Sequence, residues 1–150
     1  MIKLVEVTEK KWVDIARLTV HDYQKRYLDS PIGIMARGYA YRSSRANVLG
    51  IENDGIIVGV ALVKDLDDEP ACYDLQQFLI DKGHQGKGYG TEALRQIIEL
   101  LSKERKYSCV EVCVNKEDAS ALKVYEKIGF TDTGYIDEDA PDCINLMYIF

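Results

Sequence analysis

The chain has no apolar run long enough to cross a bilayer. Its most hydrophobic stretch, Ile56 to Val63, is the length of one strand, whereas a membrane helix needs roughly 18 residues. Behind Met1-Ile2-Lys3-Leu4 the sequence turns mixed and charged, without a signal-peptide core, so a cytoplasmic protein is expected. Cysteine is scarce and scattered: Cys72, Cys109, Cys113 and Cys143 form no C-x-x-C pair. Neither a zinc site nor a redox dithiol is indicated, and buried structural thiols are the expected role. Positive charge is also short, 19 Lys and Arg against 25 Asp and Glu, for a net charge of −6. That balance argues against nucleic acid, which is bound by neutralising many phosphates, and is compatible with a cationic small partner. No repeat, low-complexity tract or Pro/Ser-rich linker divides the chain. What remains is ordinary globular material, 47% apolar and 29% charged over 150 residues, expected to form one domain spanning 1–150.

Apolar periodicity gives an element order. Ile2 to Val7 alternates as a half-buried strand, and Thr8 can cap a helix carrying Trp12, Ile15, Ala16 and Thr19. That helix should fade near Ser30-Pro31, because the residue before proline disfavours helical geometry. Gly33 to Arg45 reads as a short helix or a loop. Val48 to Glu52 and Ile56 to Lys64 flank the turn Asn53-Asp54-Gly55 as antiparallel strands, and Ala71 to Asp81 is a third. Ala93, Leu94, Ile97, Ile98 and Leu101 form one helical stripe; Tyr107 to Val114 is a strand. Asp118 caps a helix with Ala121, Leu122, Tyr125 and Ile128, ended by Gly129. Phe130 to Ile136 and Ile144 to Phe150 close the chain as strands. The class is mixed α/β, with a strand–helix–strand crossover at its centre.

The segment Gln85-Gly86-Lys87-Gly88-Tyr89-Gly90-Thr91 falls where the third strand gives way to a helix. Alternating glycines let successive N–H groups converge, and a helix N-terminus favours phosphate. It is not a dinucleotide fingerprint, which wants a small residue at Thr91. Nor is it a P-loop, because Gly88 rather than Ser or Thr follows Lys87. Taken alone it is either a phosphate cradle or a glycine-rich turn without a ligand.

Gln85-x-x-Gly88-x-Gly90 resembles the Q/R-x-x-G-x-G/A signature of the GNAT superfamily of acetyl-coenzyme A-dependent N-acetyltransferases. Tyr125-Glu126-Lys127-Ile128-Gly129-Phe130 is similar to that family's Y-E-K-x-G-F ending. The resemblance spans essentially the whole chain, and overall it is similar to bacterial diamine and spermine/spermidine acetyltransferases. It implies a mostly antiparallel sheet with a central splayed parallel pair and flanking helices. Acetyl-CoA is the implied co-substrate, its pyrophosphate on the main chain of Gln85 to Thr91 and its pantetheine arm along Phe78, Leu79 and Ile80. Asp118 and Ala121 align with the family's N-x-x-A. Asp in place of the usual Asn weakens transfer of any coenzyme contact made by that Asn. Lys87, Lys123 and Lys127 can supply local positive charge or be ordinary surface lysines.

By the same resemblance, Tyr125 is the acid that protonates the departing thiolate. Main-chain N–H groups near Phe78 to Ile80 polarise the carbonyl. Some polyamine-acetylating relatives carry a glutamate base where this chain has Gln76, which cannot take a proton. Asp74, expected on the same strand face, is the fallback catalytic base; a strand-end carboxylate and a water-borne proton are the other readings. His84 and His21 read as loop and surface residues. The acceptor region implied for the family holds Asp22, Tyr23, Tyr27, Asp29, Tyr39, Tyr41, Tyr135 and Asp137-Glu138-Asp139, beside Arg37, Arg42 and Arg45. Carboxylates and aromatic faces suit a polyamine. The expected function is direct acetyl transfer to a small primary amine, with a peptide or protein amine, or a non-catalytic coenzyme A-binding module, as alternatives. Family habit implies a homodimer.

Overall fold

A computed structural model describes residues 1–150. Seven strands form one sheet in the order β1-β2-β3-β4-β5-β7-β6: β1 Ile2–Glu6, β2 Asn47–Asn53, β3 Ile56–Leu66, β4 Cys72–Ile80, β5 Cys109–Asn115, β6 Thr131–Asp132 and β7 Cys143–Ile149. Four helices flank it: α1 Trp12–Ala16, α2 Pro31–Ala40, α3 Tyr89–Glu104 and α4 Ala119–Ile128. No helix is long and apolar enough to cross a membrane. All strand neighbours are antiparallel except β4 and β5, joined by the α3 crossover.

The core has two sides. Leu94, Ile97, Ile98 and Leu101 of α3 pack with Tyr125 and Phe130 onto Tyr73, Leu75, Val110, Val112 and Val114. On the opposite face Ile15, Leu18, Val20 and Ile34 cover Val60, Leu62 and Leu79. β3 feeds both sides, so Ile57 to Val63 is buried throughout, the pattern of a strand covered on two faces.

Element boundaries differ from the periodicity reading at several points. The first helix starts at Trp12 behind Lys11, and Thr8 offers its carbonyl rather than a side-chain cap. The same helix stops at Ala16 instead of running toward Ser30. Beyond it the Thr19 N–H and hydroxyl donate to Asp81, and the Lys82 N–H donates to the Thr19 carbonyl. A continuing helix cannot offer those groups sideways to a strand end. The chain proceeds as a 3₁₀ segment, Asp22–Tyr27. The segment 33–45, readable from sequence as a short helix or a loop, falls in α2 and a short 3₁₀ turn at Arg42–Ser44. Pro31 opens α2, and the Ser30 hydroxyl accepts the Gly33 N–H at 3.0 Å. The strand expected from Phe130 to Ile136 shrinks to Thr131–Asp132.

The feature that positions the site is the fork between β4 and β5. They share only two rungs, Tyr73 with Val110 and Asp74 with Glu111, and then part. Just beyond the second rung the β3–β4 register slips, Val63 pairing with Leu75 but Leu62 with Gln77, so Gln76 is an inserted residue. Such a bulge bends its strand and breaks the ladder. From Leu75 onward, the β5-facing main chain of β4 has no strand partner.

Candidate active site

The fork opens into a cleft of about 470 Å³. Its floor is Leu75, Phe78 and Leu79 from β4 with Val112 and Val114 from β5. One end is the glycine loop, and the far wall is Asp118, Ala121 and Tyr125 from α4. Among the residues singled out from sequence, Phe78, Leu79, Ile80, Gln85, Gly86, Gly88, Tyr89, Gly90, Thr91, Asp118, Ala121 and Tyr125 all line this one cleft. Asp74 and Lys87 do not. Lys87, Lys123 and Lys127 are exposed.

The glycine loop is built to donate. Gly86 and Gly88 have φ of +75° and +83°, and a Cβ at either would meet no protein atom within 4 Å. The N–H groups of Gly86, Lys87 and Gly88 find no acceptor in the chain, and the first α3 bond runs from the Glu92 N–H to the Gly88 carbonyl. Tyr89, Gly90 and Thr91 therefore present the free N–H groups of a helix N-terminus. Six adjacent donors without an acceptor in the chain, at the positive end of a 16-residue helix, fit an anionic diphosphate. The Gln85 side chain has a different employment. Its amide donates to the Ile80 carbonyl at 2.9 Å and exchanges two hydrogen bonds with Gln24.

Tyr125 lies on the buried stripe of α4, 5% exposed, its ring against Phe78 and Phe130. Its hydroxyl makes no hydrogen bond within the chain and is not a buried orphan, so it opens to the cleft. Burial first, and the Asp118 charge second, push the phenol above tyrosine's ordinary range, so it keeps its proton across the physiological interval. Asp118 accepts the Ala121 N–H at 3.3 Å, the N-cap of α4.

Asp74 and Glu111 form the last rung before the strands part. Burial raises both carboxyls above their usual range, and for Glu111 the neighbouring Asp74 charge adds to it. The only cation near Asp74 is Lys64, at 3.7 Å. Glu111 meets only the Cys72 thiol, at 3.8 Å, and feels further negative charge from Asp68 and Asp137. Of the arginines in the acceptor region, Arg37 pairs with Asp29 and also donates to Gln76 at 3.4 Å. Arg45 pairs with Asp65 and Glu104, and Arg42 sits over the Tyr39 ring. Cys72 and Cys109 are buried as expected, but Cys113, on the cleft wall, is exposed and Cys143 is half-buried. Desolvation and the neighbouring Cys143 raise the Cys113 thiol above its ordinary range.

Sequence reasoning missed Glu111 and Gln24. Glu111 carried a signal, a single charge set among β-branched and thiol residues in a buried strand. Gln24 carried none, because its partner lies 61 residues away.

Fold and site together define a class: a mixed sheet forked between two parallel strands, with a glycine-rich helix N-terminus at one end of the cleft. The family described as "Acetyltransferase (GNAT) family" matches residues 12–130, and this chain belongs to it. Across 141 residues it is 26% identical to the spermine/spermidine N(1)-acetyltransferase of Bacillus subtilis strain 168, covering 91% of each chain. Its fold matches an aminoglycoside acetyltransferase solved with coenzyme A, at TM-score 0.81 and 16% identity over 99% of this chain and 95% of that one. It also matches the spermidine N-acetyltransferase of Vibrio cholerae solved with CoA and spermine, at TM-score 0.76 and 15% identity, covering 99% and 95%. The protein is an N-acetyltransferase, and acetyl-CoA is its co-substrate.

Proposed function

We propose that this enzyme transfers the acetyl group directly to a small primary amine carrying further positive charge, a polyamine. The carrying observation is the Asp74–Glu111 rung: two desolvated carboxyls at the base of the fork, with Lys64 as their one nearby cation. The relative that acetylates spermine and spermidine supports the same class.

Acetyl-CoA supplies the activated thioester, whose C–S bond breaks as the amine nitrogen bonds to the carbonyl carbon. The main chain of Gly86 to Thr91 holds the diphosphate, and the unpaired edge of Phe78 to Ile80 aligns the amide-bearing arm. N–H groups of that edge stabilise charge on the carbonyl oxygen. Tyr125, still protonated, donates to the departing sulfur. The acceptor ammonium has a reference pKa of about 10.4 and must lose a proton before attack. Asp74, with Glu111 across the rung, draws the cation in and accepts that proton through water. Because the amine attacks the thioester directly, the reaction needs no acyl-enzyme.

The test is coenzyme A release with spermidine, spermine and a lysine peptide. Spermidine kcat/KM should exceed that of the peptide by at least about tenfold, roughly 1.4 kcal/mol of transition-state discrimination. A preference for the peptide would assign the site to protein amines instead. Tyr125→Phe should lower kcat by about 10²-fold or more while leaving acetyl-CoA affinity unchanged.

A further inference from the structure

Gln24 belongs to no motif, yet it is 9% exposed in a 3₁₀ segment whose neighbours are mostly solvated. Its Nε2 donates to Gln85 Oε1 at 3.1 Å, and Gln85 Nε2 donates back to Gln24 Oε1 at 2.9 Å. Two main-chain groups fix the polarity of this amide pair. The His21 N–H donates to Gln24 Oε1 at 3.1 Å, and Gln85 Nε2 also donates to the Ile80 carbonyl at 2.9 Å. Neither amide can flip without setting like against like.

The circuit joins three parts of the cleft: the end of β4, the residue that opens the glycine loop, and the 3₁₀ segment. Tyr27 and Leu28, which follow Gln24, line the cleft, and the Asp29 N–H is held by Gln77 at 3.0 Å. Between Val20 and Asp29 the segment's other polar cross-link is the exposed Arg26–Glu117 pair at 3.3 Å, while Leu28 packs against the apolar cluster of Ile15, Ile34 and Leu62. Gln24 is thus the buried fastening between this wall and the coenzyme loop.

We infer that Gln24 is a positioning residue that couples occupation of the glycine loop to the acceptor wall at Tyr27 and Leu28. The inference rests on the coenzyme and acceptor sites proposed above. Diphosphate binding orders the loop; Gln85 transmits that order to Gln24, and Gln24 sets the wall. By linkage, an amine that seats against the ordered wall tightens coenzyme binding by the same factor. Gln85 keeps its bond to Ile80 when Gln24 is lost, so the loop survives and only the coupling is removed.

Hydrogen exchange with free coenzyme A as the probe tests this on three full-length proteins: wild type, Gln24→Leu, and the double variant Gln24→Glu with Gln85→Arg. The double variant replaces the amide pair by an ion pair, and its arginine can still reach the Ile80 carbonyl. In the wild type, coenzyme A should slow exchange at residues 86–91 and also, by about tenfold, at 22–28, the scale of a pair of neutral side-chain hydrogen bonds. In Gln24→Leu protection should remain at 86–91 and vanish at 22–28, and the double variant should restore it. Equal protection of 22–28 in Gln24→Leu, with or without a lower melting temperature, overturns the coupling and leaves the coenzyme site intact. So does failure of the folded double variant to restore protection. No protection at 86–91 in the wild type overturns the coenzyme reading and this inference together.

Discussion

Two glycines of nearly identical backbone shape offer a controlled test of the diphosphate cradle. Gly88 has φ +83° and Gly55 has φ +86°; both are exposed, and a Cβ on either would meet no protein atom within 4 Å. Alanine at either position therefore imposes the same left-handed strain and no clash. The strain is on the order of 1–2 kcal/mol, partly offset by the reduced entropy of the unfolded chain, for a net of about 1 kcal/mol. For a chain of this size that lowers the melting temperature by about 2–4 °C in each variant. The consequence for binding should differ completely. Gly55 turns between β2 and β3 and does not line the cleft, whereas Gly88 lines it among N–H groups that have no acceptor in the chain, so the new methyl of Gly88→Ala enters the proposed diphosphate site. Displacing the diphosphate from even one charge-assisted hydrogen bond costs about 1.5–3 kcal/mol. Acetyl-CoA affinity should fall about 10- to 100-fold in Gly88→Ala and stay unchanged in Gly55→Ala. Calorimetric titration and thermal unfolding measure both quantities on both proteins. Equal acetyl-CoA affinities in the two variants would refute the claim that this loop grips the coenzyme.

Two further outcomes follow from the charges. Glu111→Gln should raise the KM for spermidine about fivefold to tenfold with acetyl-CoA affinity unchanged, as steady-state kinetics and titration would measure; an unchanged KM removes Glu111 from acceptor recognition. Asp65, 6% exposed, is held at about 2 by Arg45 and then Lys106. A carboxyl depressed in the folded state stabilises above its unfolded value near 3.9, and that stabilisation is lost as pH falls toward about 2. Asp65→Asn should cost about 1–2 kcal/mol at pH 7, a figure discounted because Arg45 and Lys106 are partly exposed, and almost nothing at pH 2. Urea denaturation at the two pH values checks the sign, and a pH-independent difference contradicts it.

Much of the fold was legible because its signals are local. The α3 stripe from Ala93 to Leu101, the Asp118 cap and the Gly129 stop are written within a few residues of where they act, and the helices form there. The Asn53–Gly55 turn likewise gives the β2–β3 hairpin. The short first helix was not legible, because its end is set by Asp81 and Lys82, more than 60 residues on. The β6 strand failed for a related reason: alternation marks residues able to pair, but the partner fixes how many do. At the site, spacing found the loop and Tyr125 but could not distinguish a glutamine that touches ligand from one that fastens a wall.

By itself the sequence determined the elements, the glycine loop at a helix start and a tyrosine on a buried helical stripe. Each depends on φ preferences, capping or periodicity, which act over one or two turns of chain. Only the tertiary structure decided that β4 and β5 part after Asp74 and Glu111, that the bulge at Gln76 lies at that parting, and that Gln24 closes onto Gln85. Those outcomes depend on register and on which distant groups reach one another. No local preference encodes them, because their energy exists only once the sheet is assembled.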